Sequence, residues 1–221
     1  MDQLVLRTAR RIAGSLLPVL SIGLLVISFV IDEWYSVNHV EGEKKEGSIY
    51  TEYTIEYGLY QFKYLEIWSA ILGEGYREEE YSTTGELEDI ADYTITSMAL
   101  LALTLLLLFV LGLMTIPDWI GNGAPVVLCL VFILGIGVWG IYYWMNVDDA
   151  VMHHIEDGFT PADIKLDEEA KDGFMESGKI GQSFHFMLYS VIPVIISFIL
   201  FIDPKRDRDP TTGEIEKGFF R

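Results

Sequence analysis

Apolar and polar stretches alternate along the chain on two length scales. On the longer scale, four blocks lack Lys, Arg, Asp and Glu: Ile12–Ile31, Ile95–Ile116, Ala124–Met145 and Phe184–Ile202. Each is close to the roughly 20 residues that carry a helix across about 30 Å of hydrocarbon. The expected fold class is therefore membrane α-helical, a four-transmembrane-helix bundle forming a single tetraspan domain over residues 1–221. The first block follows Arg7, Arg10 and Arg11 as the core of a secretory leader would, yet its apolar run is too long and no small-residue cleavage site follows. It reads as a retained helix. Pro18 and Gly23 within it are tolerable where neighbouring helices re-satisfy the backbone. Gly135, Gly137 and Gly140 form a small-residue track on the third helix, and Pro193 is expected to kink the fourth.

On the shorter scale, the polar stretch 32–92 changes to a period of two. Ile49, Thr51, Tyr53, Ile55, Tyr57 and Leu59 fall on one face, and Tyr50, Glu52, Thr54 and Glu56 on the other, as in a half-buried antiparallel strand. Trp34–Val40, Phe62–Ala70 and Tyr76–Ser82 read as further strands, the last an edge blunted by its charges. Turns are expected at Glu41–Gly47 and Gly73-Glu74-Gly75, with Gly58 interrupting its strand at a bulge or close approach. The result is a small antiparallel β-meander. Thr84 is a candidate cap for a helix leading into the second span, and the third helix has no breaker before Gly158.

Charge fixes an orientation and excludes partners. Cations before the first span and at Lys205, Arg206 and Arg208 after the last place both termini in the cytoplasm, so that 32–92 and 146–183 are external loops and 203–221 is a cytoplasmic tail. The first loop carries sixteen acidic against four basic residues and the second ten against three, so the formal charge of −18 lies almost wholly outside. Such a surface repels nucleic acid and attracts cations. With one cysteine, Cys129, no intrachain disulfide forms, and packing alone must hold the loops.

Two short signals stand in this frame: Trp34 at the end of the first span, and Gly58-Leu59-Tyr60 in the first loop. With the loop order, they make the chain resemble the claudin and peripheral-myelin-protein superfamily of four-helix membrane proteins. There a leading Trp is followed by Gly-Leu-Trp and two cysteines. Lys63 stands where the first family cysteine is expected, and no second external cysteine exists. The resemblance implies a protein without catalysis or cofactor, acting in the cell membrane as a barrier, adhesion or auxiliary subunit that associates laterally, with itself or with other membrane proteins, through an external sheet. It also implies that an acidic loop of this kind serves a cation-selective pore in some members.

The residues leave these alternatives open. Trp34, Tyr50, Gly58, Leu59, Tyr60 and Tyr64 are the candidate partner-binding residues, with Tyr50, Tyr60 and Tyr64 on the face available to a partner. A competing signal is the acidic segment with His153 and His154. On a continued helix, Asp149, His153, Glu156 and Asp157 share a face and offer imidazole and carboxylate to a divalent transition metal, with His39 or His185 completing the set. That reading makes the chain a metal-binding subunit of a membrane enzyme. Thiol redox chemistry, phosphate loops and hydrolase elbows lack their residues, and the spans carry no carboxylate for ion transport.

Overall fold

The computed structural model describes residues 3–42, 49–70, 73–83, 85–156 and 177–202. In chain order these form α1 (Gln3–Ile31), β1 (Tyr35–Gly42), β2 (Tyr50–Tyr57), β3 (Gln61–Ala70), β4 (Gly73–Ser82), α2 (Glu86–Met114), α3 (Gly123–Glu156), β5 (Lys179–Ile180), α4 (Gln182–Tyr189) and α5 (Val191–Phe201). Four helical stretches, Val5–Ile31, Glu86–Met114, Gly123–Ile155 and Gln182–Phe201, are long and apolar enough to cross a membrane. They coincide with the four apolar blocks and suggest a multi-pass membrane protein. Their outward residues agree: Leu100, Leu103, Leu134, Val138 and Ile141 are each more than half exposed, a density of bare aliphatic surface that water does not tolerate. The predicted turn centred on 43–47, the Thr84 cap, the segments 159–161 and 167–172, and the tail 203–221 lie outside the described residues.

The helices exceed the predicted spans. At 34 residues, α3 is about 50 Å long, some 20 Å more than the hydrocarbon requires. It runs unbroken to Glu156, as the lack of a breaker predicts. The fourth span breaks between α4 and α5 at Ser190. Pro193 has no N–H for the carbonyl of Tyr189, and its ring crowds that carbonyl. The neighbouring Ser190 carbonyl accepts a hydrogen bond from Ser21 Oγ at 2.6 Å.

The chain divides into two compact units. One comprises residues 1–27, 97–139 and 186–221. Here arginines early in α1 engage the carbonyl ends of other helices, where positive charge is favoured. Arg11, 3% exposed, donates from Nη1 to Thr115 O at 2.5 Å and Asp118 Oδ1 at 2.6 Å. Arg10 Nη2 donates to Ile202 O at 3.0 Å. Small residues provide the close contacts, and of the predicted track Gly135 takes part, where a Cβ would lie 3.1 Å from Leu101 Cδ2. A Cβ at Gly137 would meet nothing within 4 Å, whereas one at Gly112 would lie 2.7 Å from Ser15 Oγ and 3.1 Å from the Phe201 ring. Ser197 Oγ donates to Gly14 O at 2.5 Å.

The second unit comprises residues 28–96 and 140–185 and holds a five-stranded antiparallel sheet in the order β4-β3-β2-β1-β5. The meander is thus extended by a short strand from the second loop, which sequence periodicity does not reveal in two residues. Alternation sends Tyr35, Val37, Ile55, Tyr57, Phe62 and Tyr64 to one buried face. Two boundaries differ from expectation. Gly73 to Gly75 begin β4 rather than forming a turn, and Gly75 lies directly opposite Trp68, whose indole occupies the space of a Cβ there. Strand β2 ends at Tyr57, so Gly58 to Tyr60 form a hairpin closed by Gly58 N–H donating to Gln61 O at 2.8 Å.

Paired glycine substitutions separate a packed position from an open one. Gly112→Val is expected to cost about 1–3 kcal/mol by overpacking, while Gly137→Val stays within about 0.5 kcal/mol; thermal unfolding in detergent measures both.

Candidate functional site

Helix α1 stops because Asp32 adopts φ 49°, a left-handed conformation that Asp and Asn tolerate better than other side chains. That turn aims the carboxylate back at the β2–β3 hairpin. Oδ1 accepts from the backbone N–H of Leu59 at 2.8 Å and from the indole Nε1–H of Trp34 at 3.1 Å. A Cβ on Gly58 would lie 2.5 Å from Asp32 Oδ2 and 2.9 Å from Gln61 O. The hairpin therefore needs glycine for the close approach of a side chain, rather than for a bulge. Partial burial of the carboxyl group pushes its pKa up, against the two donors, which favour the ionised form.

The next residues are stitched from both sides. Trp34 N–H donates to Tyr57 O, and Gly181 N–H to Trp34 O, each at 2.9 Å. Glu33 O accepts from Ser183 N–H, and Ser183 Oγ accepts from Glu33 N–H, both at 2.9 Å. Trp34 is 1% exposed and its ring lies 6.1 Å from that of Tyr143. It is a core residue of this unit.

The buried face of the sheet meets α3 through paired polar groups. Tyr35 OH donates to Asp148 Oδ1. Tyr57 OH and His154 Nδ1 share a hydrogen bond of 3.2 Å, and the imidazole stands edge-on to Phe62 at 4.7 Å. Burial pushes the phenol pKa of Tyr57 up, and burial followed by the Asp148 contact does the same for Tyr35, so both stay protonated and Tyr35 serves as a fixed donor to Asp148. Further along the face, Tyr81 OH and Arg77 both bind the Glu79 carboxylate and hold its pKa low.

These contacts distribute the candidate residues unevenly. Trp34, Leu59 and Tyr64 are at most 5% exposed and are internal. Tyr64 shares the buried face with Ile55, which corrects its expected place beside Tyr50, because the hairpin at Gly58 resets the alternation. Tyr50 is partly exposed; Tyr60 is exposed, with its OH donating to Asp92 at 2.8 Å. The histidines do not converge. His153 Nδ1 lies 3.0 Å from Glu86 Oε2 at the start of α2, while His154 is buried on Tyr57 and Phe62. Asp149 is exposed, and Asp157 and the side chain of Glu156 lie outside the described residues. His39 stacks on Tyr53, and His185 Nδ1 donates to Gly181 O. Among the described residues no group of three or more His, Cys, Asp or Glu is arranged to hold a metal ion.

Sequence reading missed Asp32, Asp148 and Gly181. The first had a local signal, an acid two residues before Trp34 at the end of an apolar helix. The other two act across long separations and had none. Lys63 sits opposite Glu80 on β4 with its Nζ 2.7 Å from Glu78. Comparison of the sequence with protein-family models and with curated proteins gives no match.

If the Asp32 contact fixes the hairpin, Asp32→Ala loses two hydrogen bonds and the tolerated left-handed residue, and should destabilise by about 1–3 kcal/mol. Asp32→Asn retains both acceptor bonds and should stay within about 1 kcal/mol at pH 7. Because the folded-state pKa of Asp32 is raised, the native state takes up its proton first. The wild type should therefore gain stability relative to Asp32→Asn as pH falls through that pKa towards 4. Thermal unfolding across pH, with the near-ultraviolet signal of the buried aromatic residues as reporter, measures both effects.

Proposed function

We propose that the chain is a non-catalytic integral membrane protein of the cell membrane, a structural, adhesion or auxiliary subunit. Both termini are cytoplasmic, and it associates laterally with other membrane proteins through an external β-sheet. On this reading it is a disulfide-free relative of the claudin-like superfamily. The observation that carries the proposal is the use made of the sheet's polar side chains. Two tyrosines of its inner face, Tyr35 and Tyr57, bond side chains of α3, and the hairpin amide of Leu59 bonds Asp32 at the end of α1, while Tyr76, Glu78 and Glu80 on the other face remain exposed. A sheet anchored by buried bonds with an exposed, acidic opposite face suits presentation to a partner better than turnover of a substrate. The arginines Arg7, Arg10 and Arg11 at the start of α1 support the cytoplasmic placement of that end.

The composition of the complex extracted from its native membrane in mild detergent tests this. A stoichiometric set of other membrane subunits is expected. Recovery of the chain solely as a monomer, under conditions that preserve known complexes of the same membrane, would oppose it.

A further inference from the structure

The end of the sheet occupied by β4 has geometry that narrows the kind of partner. Strand β4 pairs residue for residue with β3, from Gln61↔Ser82 to Ala70↔Gly73, and stands last in the strand order. Among the described residues its second edge pairs with no strand. A ten-residue edge without proline or bulge offers a row of backbone donors and acceptors to an incoming strand. The side chains decide which strand is accepted. On the exposed face Tyr76, 72% exposed, is followed at the alternate positions by Glu78 and Glu80. On the other face Glu79 is held by Arg77 and Tyr81. Lys63 on β3 lies 2.7 Å from Glu78 and 4.0 Å from Glu80, offering one cation to two carboxylates. A second copy would bring the same excess of glutamate to the edge, and like charges set opposite one another on neighbouring strands repel.

We propose that β4 is a strand-addition site for an extended basic segment of a different protein. The segment places Lys or Arg opposite Glu78 and Glu80 and an apolar residue opposite Tyr76. This rests on the reading of the sheet as a partner-binding module, and it specifies edge, mode and charge. Backbone bonds along β4 supply attachment, and the glutamates reject acidic strands, including the chain's own.

The test uses the full chain in lipid nanodiscs and a capped synthetic peptide that alternates Thr with Lys, Lys and Val. Expected results are saturable binding and slowed amide exchange within residues 73–82. Binding should fall by about tenfold or more in the Glu78→Lys/Glu80→Lys variant, and equally when alternate peptide amides are N-methylated. Equal binding of the N-methylated peptide, or protection outside β4, would overturn the proposal, since either means mere polyelectrolyte attraction. So would a benzophenone placed at Tyr76 in the native membrane that cross-links only to a second copy. Loss of peptide binding while the native complex still contains other subunits condemns this site alone; a solely monomeric native chain condemns the reading beneath it.

Discussion

One carboxylate at the end of α1 determines where the sheet begins. By turning left-handed at Asp32, the chain stops the helix and points Oδ1 at the Leu59 amide and the Trp34 indole. From there the backbone of Glu33 and Trp34 is bonded to β2 on one side and to Gly181 and Ser183 on the other. Two polar segments far apart in sequence are thereby joined at three consecutive residues. With Cys129 buried and no other cysteine in the sequence, these bonds act where many exposed domains use a covalent link. Buried hydrogen bonds contribute only about 1 kcal/mol each, so the joint relies on several acting together around a well-packed Trp34.

The face opposite the edge proposed for binding shows how a sheet rich in polar side chains is kept rigid. Tyrosine supplies both its apolar ring and a hydrogen-bonding hydroxyl, and the Tyr35–Asp148 and Tyr57–His154 contacts use both properties at the α3 boundary. In the other unit, Arg11 and Arg10 do comparable work for the helices by satisfying carbonyls at Thr115 and Ile202. In each case a polar group does more than keep company with water: it fixes where one element ends against another.

Much of this was legible because period and composition are local. The four spans follow from runs of apolar residues, and β2 from the alternation between Tyr50 and Tyr57. The face of Tyr64 was not legible, because three hairpin residues intervene and only the Asp32 contact shows that Gly58 ends the strand. The fifth strand is two residues long and owes its existence to Tyr35 and Ser36 across the sheet. The separation of the histidine pair has a related reason: adjacent residues on a helix point in different directions, and His153 and His154 are drawn to Glu86 and Tyr57 respectively.

The claim on which the account most depends is that the sheet is displayed outside the membrane, with the α2–α3 turn inside. Because the one native cysteine is fully buried, single introduced cysteines report cleanly. Tyr76→Cys on β4 and Trp119→Cys in the turn replace side chains 72% and 75% exposed. In intact cells treated with a membrane-impermeant maleimide, the first should be labelled, and the second only after permeabilisation. Labelling of the turn from outside with the sheet protected would contradict the account.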